Sequence, residues 1–163
     1  MYRVLMCAAA ALFIGSQAEA QTLKEQLTGG WTYVSSEITF PNGTTEPSRF
    51  GGTNVKGIFI LDVSGRYADI EMRPDRPKFN GDPANSSDAE LGAAAKGFAA
   101  NFGTWSVNEA DKTLIMQHEG ALLPNFERIE RKASVSLVGD ELKLVGPSLL
   151  GGNVLTEVLR RAK

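Results

Sequence analysis

Thiolate and imidazole chemistry have almost no material in this chain: of its 163 residues one is cysteine, Cys7, and one is histidine, His118. A structural zinc site needs four such ligands, so none is expected. A basic excess is missing too. Lys and Arg number 17 against 19 Asp and Glu, for a formal net charge of -2, and nothing here draws a nucleic acid. There is no Gly-x-Gly-x-x-Gly opening a helix, no phosphate loop and no Gly-x-Ser-x-Gly elbow, so no cofactor is expected. Long hydrophobic runs are absent as well. The apolar stretch at residues 4–14 is too short for a helix to cross a bilayer of ~30 Å.

That stretch has another use. "MYRVLMCAAAALFIGSQAEA" has a basic start at Arg3, an apolar middle, and Ala18-Glu19-Ala20 as a small-x-small cleavage site. It reads as a secretory signal over residues 1–20, with residues 21–163 exported to a periplasm or the medium and no integral membrane segment left after cleavage. Cys7 lies too near the start to be a lipidation site, and its removal leaves no thiol for a disulfide. Residues 21–163 fit one domain able to bury about two thirds of its unfolded surface.

What is present is alternation. "GGWTYVSSEITF" ends at the turn signal Pro41-Asn42-Gly43, and "KGIFILDVSGRYADIEM" folds back at Asp62-Val63-Ser64-Gly65. "GTWSVNEADKTLIMQHE" turns near residues 108–112, "RIERKASVSLVGDELKLVG" turns at Gly139-Asp140, and "NVLTEVLRR" reads as a closing strand. One segment differs. "SDAELGAAAKGFAA" places Leu91, Ala94, Ala95 and Phe98 on one helical face behind a Ser87/Glu90 capping box. The prolines and glycine of "RPDRPKFNGDPANS" before it exclude regular structure. The expectation is an all-β, roughly eight-stranded antiparallel up-and-down barrel, with one short inserted helix covering an opening. Closure removes the unpaired edges a flat sheet would leave, and a two-sheet sandwich is the alternative.

The ordered set "LTGGWTYVSSE", "SGRYADIEMRPDRPKF", "SDAE", "GTW", "HEGALLPNFERIERKA" and "GDELKL" resembles the bacterial lipocalin-like domain family. The resemblance touches most of residues 21–163 and implies a small barrel with a small apolar ligand; it does not imply an enzyme. The chain departs from that pattern at Asn101-Phe102 and at Gln117-His118, where the family resemblance implies an aromatic residue just before the second Gly-x-aromatic and paired histidines. Gly29-Gly30-Trp31 also resembles the Gly-x-Trp start of true lipocalins. That resemblance implies a tryptophan closing one barrel end under an arginine of the last strand, here Arg160 or Arg161.

Within the barrel, "TLIMQHE" puts Leu114, Met116 and His118 on one, more apolar, face. An inward His118 serves either as a general base or as a volume-filling hydrogen-bonding group. Arg131 shares a face with Ile129, Ala133, Val135 and Leu137, so it is expected inside with a partner: Glu71, Glu130 or the acid head group of a ligand. Tyr67 shares a face with Asp69 and Glu71, opposite Arg66, Ala68, Ile70 and Met72, and either face could point inward. Ile58, Ile60, Leu114, Met116, Val135 and Phe98 complete the expected walls. "RPDRP" is read either as a charged mouth or as a stiff loop in which Asp75 neutralises an arginine. The function expected is an exported barrel binding one small hydrophobic or amphipathic molecule, a carboxylate-bearing one included. The alternatives are an isomerase- or cyclase-type barrel using His118, with Arg131 steadying an oxyanion, and a solid-cored envelope domain.

Overall fold

The computed structural model describes residues 21–149 and 151–163, so the leader expected at residues 1–20 lies outside the described residues. The chain enters through a helix, α1 (Leu23–Leu27), whose cap is reciprocal: the Glu25 N–H donates to the Thr22 hydroxyl and the Thr22 N–H donates to the Glu25 carboxylate. The Leu23 and Lys24 N–H groups donate to Glu109, both at 2.9 Å, which ties the helix to the far side of the barrel. Five residues are too few to show a helical period, and the sequence reading missed this element.

Strands β1 (Gly29–Thr39), β2 (Thr45–Pro47), β3 (Lys56–Leu61) and β4 (Arg66–Met72) follow, then α2 (Asp88–Lys96), then β5 (Phe98–Asn108), β6 (Thr113–Ala121), β7 (Glu130–Val138), β8 (Glu141–Pro147) and β9 (Val154–Arg161). Their order is β1-β3-β4-β5-β6-β7-β8-β9, antiparallel at every pairing, and β9 returns to β1 to close the cylinder. Eight strands make the barrel, and β2 hangs on the far end of β1 as a ninth. The expected up-and-down barrel is therefore found, with each hairpin turning where the sequence signals placed it.

Strand β1 serves both neighbours. Residues 29–32 pair with β3 and residues 31–39 pair with β9, with a register shift between Tyr33 and Ser35. That irregularity changes the alternation, so Trp31 and then Ser36, not Ser35, are the buried positions. A second shift lies between Phe102 and Gly103, and there glycine is required: a Cβ on Gly103 would stand 1.9 Å from the Gln117 carbonyl oxygen.

The expectation of Ile58 and Ile60 as wall residues is corrected, and the face of β4 left open by the sequence is resolved. Phe59 and Leu61 face the interior, while Ile58 and Ile60 are 44 and 40% exposed on the outside. "KGIFIL" is apolar on both faces, so hydropathy could not choose between them. On β4 the apolar face points out, and Tyr67, Asp69 and Glu71 point in. The helix expectation also needs correcting. α2 has its Ser87/Glu90 capping box, but none of its residues is buried and Leu91 is half exposed. It ends at Lys96, so Phe98 opens β5 rather than completing a helical face. Instead of covering an opening, α2 anchors Arg49, whose Nε donates to the Lys96 carbonyl at 3.1 Å. In the loop before it, Pro83–Asn85 form a single 3-10 turn capped by Asp82 where no regular structure was expected. Arg73 pairs with Asp75 on the surface at 2.8 Å, the stiff-loop version of "RPDRP".

Along its axis the interior has layers. The end nearest α1 is packed with Leu27, Trp31, Leu61, Trp105, Leu114, Leu142 and Leu159. Phe59, Tyr67, Met116, Ala133 and Leu144 lie above them. Polar side chains take over next, at Ser36, Asp69, Glu71, His118, Arg131 and Glu157, all buried.

Candidate functional site

The α1 end of the barrel is shut by structure, with no room for chemistry. The Trp31 Nε1–H donates to the Leu27 carbonyl at 2.9 Å, and the Arg161 guanidinium stands 4.2 Å from the Trp31 ring centroid. Arg161 also donates to the carbonyls of Gln26 at 2.6 Å and Thr28 at 3.3 Å, where α1 ends. Arg160, named with Arg161 as the closing cation, is one strand position off and exposed: the register sets Trp31 opposite Arg161 and Thr32 opposite Arg160.

The polar layer lies toward the other end. Strands from around the barrel supply it: Ser36 and Tyr33 from β1, Asp69 and Glu71 from β4, His118 from β6, Arg131 from β7 and Glu157 from β9. Arg131 was expected to need a partner, and its partner is Glu157, through Nη2 to Oε2 at 2.5 Å, with both side chains buried. Neither residue proposed from the sequence fills that role. Glu130 faces outward to Lys132 and Gln117, and Glu71 has no ion pair among the described residues. Tyr33 donates its hydroxyl to Asp69 Oδ1 at 2.6 Å. His118 packs its ring 6.0 Å from that of Tyr67, and Tyr67 in turn meets Phe59 edge to face.

Burial governs the electrostatics of this layer. The Asp69 carboxyl is pushed up to about 6, first by burial and then by the Glu157 charge, against the Tyr33 hydrogen bond and Arg131. Glu71 is held well above the usual carboxylate range by burial, then by Glu157 and Asp69, and the Ser36 hydroxyl opposes the shift. His118 is held below its ordinary value by burial and by the Arg131 charge, while a hydrogen bond to the Phe126 backbone favours the protonated ring. Burial works to lower the Arg131 value, but the Glu157 charge and hydrogen bond outweigh it and raise the net result. Burial raises the phenols of both Tyr33 and Tyr67.

Among the described residues six buried polar atoms have no hydrogen-bond partner: Ser36 Oγ, Tyr67 Oη, Glu71 Oε2, His118 Nδ1, Arg131 Nε and Glu157 Oε1. Such orphans are rare in folded proteins, because each costs the desolvation of a polar group. Three of them belong to side chains that line a cavity, Glu71, His118 and Arg131, and Asp69 and Asn101 lie beside them. Its outer part is mostly apolar, with Phe50, Phe98, Leu122, Leu123, Phe126 and Leu155, and Arg49 and Ser148 also line it. The cavity holds about 570 Å³ of atom-free space with its mouth included, but only about 70 Å³ for the centres of water-sized molecules. A water needs about 10–15 Å³ by that measure, so the cavity admits a head group or a handful of waters. The body of any larger ligand must occupy the mouth.

Of the residues singled out from the sequence, His118, Arg131 and Phe98 meet at this cavity. Tyr67 touches its polar wall through His118, whereas Leu114 and Met116 belong to the packed core nearer the closed end. Asp69 and Glu157 were missed as site residues, and Glu71 was named only as a partner for Arg131. The signal that could have placed Asp69 and Glu71 is the inward phase of Tyr67, which was left open.

The model of a family described as "Lipocalin-like domain" matches residues 28–159. Among solved structures, a lipocalin-like protein from Bacteroides uniformis is similar at 15% identity, with 83% of this chain and 98% of that chain covered and a TM-score of 0.44. An uncharacterized protein from Bacteroides eggerthii is similar at 13% identity, over 83% and 98% of the two chains, with a TM-score of 0.43. No curated protein matches the chain.

Proposed function

The chain belongs to the lipocalin-like domain family, and from that premise we propose that it is an exported barrel that binds one small amphipathic molecule in the cavity between His118, Arg131 and the apolar mouth. The observation that carries this reading is the pairing of orphaned buried polar atoms on Glu71, His118 and Arg131 with an apolar opening just above them. A solid core would satisfy or exclude such atoms, whereas a binding site leaves them for its ligand. A free carboxylate head group fits less well than the sequence suggested, because the Arg131 charge is already matched by Glu157.

Native mass spectrometry of the protein, recovered without detergent from the exported fraction of its host, tests the reading. A discrete additional mass is expected, released on gentle activation and lost in Ala99→Trp, whose side chain shares the inward face of Glu71 and fills the cavity. Cleavage of the leader is read in the same spectrum, from a chain beginning at Gln21. If both proteins are bare and small amphiphiles produce no saturation transfer from either, the solid-cored alternative replaces this one.

A second reading draws on the same atoms. His118 carries a bare Nδ1 and loses its proton readily, while Glu71 keeps its proton, so an unprotonated base and a protonated acid line one cavity. Deuterium incorporation into the recovered ligand in heavy water, abolished by His118→Gln, distinguishes proton-transfer catalysis from binding alone.

A further inference from the structure

The polar end of the cavity has more negative than positive groups. Asp69, Glu71 and Glu157 are 4, 4 and 1% exposed, and among the described residues Arg131 and His118 are the buried bases facing them. Arg131 is taken up by Glu157 and Asp69 accepts from Tyr33, but Glu71 Oε2 has no hydrogen-bond partner and no cation pairs with it. The unmet atoms lean the same way. His118 hydrogen-bonds the Phe126 backbone in the sense that favours its protonated form, so a carbonyl accepts there and the neutral ring turns its Nδ1 lone pair to the interior. Of the unmet atoms on side chains that line the cavity, Glu71 Oε2 and His118 Nδ1 accept and the one donor is the Nε of an Arg131 already paired with Glu157, while Ser36 Oγ, Tyr67 Oη and Glu157 Oε1 are unmet behind the lining.

We propose that the ligand of this cavity is a small organic amine bound as its ammonium ion, its nitrogen seated against Glu71 and its apolar body directed to Phe98, Leu122, Phe126 and Leu155 at the mouth. This rests on the binding function proposed above. An ammonium brings several donors and one positive charge to the unpaired Glu71 carboxyl and the His118 lone pair, and a cavity with about 70 Å³ for the centres of water-sized molecules admits a group of that size. A carboxylate would bring acceptors and negative charge to a site with a surplus of each.

The proposal has a proton signature. Glu71 faces Asp69 and Tyr67 on its own strand, Tyr33 and Ser36 on β1, His118 on β6, Arg131 on β7 and Glu157 on β9, and Arg49 of the loop after β2 lines the same cavity. Burial and the neighbouring carboxylates keep its proton on when the site holds no cation, and an arriving ammonium removes the reason for holding it. Amine binding near neutral pH therefore releases a proton to solvent.

Calorimetric titration of the purified protein with hexylamine, hexanoate and hexanol, in two buffers of different ionisation enthalpy, tests this. Hexylamine is expected to bind at least about tenfold tighter than either of the others, with net proton release, and Glu71→Gln is expected to remove both the preference and the release while hexanol still binds. Hexanoate or hexanol binding as tightly as hexylamine overturns the amine assignment and leaves the binding function standing. Failure of all three to bind, with no molecule co-purifying, overturns the binding function itself. The order of the three probes on the unaltered protein decides the matter even if Glu71→Gln does not fold.

Discussion

Arg161, the last residue of the closing strand, covers Trp31 near the start of the first one, with its guanidinium 4.2 Å from the ring centroid. The same guanidinium donates to the carbonyls of Gln26 and Thr28, so one side chain joins the two chain ends and the end of α1. Arg161→Ala is expected to lower stability by about 1–2 kcal/mol, since both a partly desolvated cation-ring contact and the carbonyl contacts are lost. Arg160→Ala, at an exposed position, is expected to stay within about 0.5 kcal/mol of the parent. Urea unfolding of the two variants side by side checks this, and equal losses would argue against the closing role.

Arg131 and Glu157 form the interior ion pair, and its two halves are not worth the same alone as together. Removing one partner leaves a buried charge uncompensated, so Glu157→Leu is expected to cost about 3–5 kcal/mol. Replacing both, as Arg131→Met with Glu157→Leu, is expected to recover most of that loss. The exposed Arg66 and Glu119 pair provides the contrast, with an expected contribution of about 0–1 kcal/mol. A double-mutant cycle by chemical denaturation reads both pairs, and similar coupling energies in the two would contradict the burial assigned to Arg131.

The barrel was legible in the sequence because its hairpins announce themselves. Gly65 and Gly139 both adopt positive φ at the turns where they were expected, and each turn fixes two antiparallel strands. His118 and Arg131 were also legible, since each is a lone polar residue in a strand whose other inward positions are apolar. The acids were not. Asp69 and Glu71 look like a solvent face beside Ala68 and Ile70, and only a cavity that tolerates buried charge turns that face inward. Arg160 and Arg161 are separated by a single strand position, and the side-chain period of two makes that one step the difference between outside and closed end. α1 was too short to give any period, so the plug was visible only through its tryptophan.

Asp69 gives the interior a measurable dependence on pH. Its carboxyl is pushed up to about 6 from an ordinary 3.8, so between those values the folded protein keeps a proton that the unfolded chain has lost. The stabilising contribution is fully present below the ordinary value and is lost as pH rises through the folded one, with a size on the order of 2–3 kcal/mol. His118 acts in the opposite sense. Its value is lowered, so its contribution is present above 6.5 and fades as pH falls. Because the two overlap, the expected outcome is stated as a difference: the stability of the parent relative to Asp69→Asn should fall between about pH 4 and 6 and then level off. Tyr33→Phe should stretch that window upward, because it deletes the donor that favours the charged carboxylate. Denaturation curves from pH 4 to 8, together with carboxyl-carbon NMR titration of Asp69, test both statements. Parallel pH profiles for the parent and Asp69→Asn would place Asp69 in contact with solvent and remove the basis for a proton-holding interior.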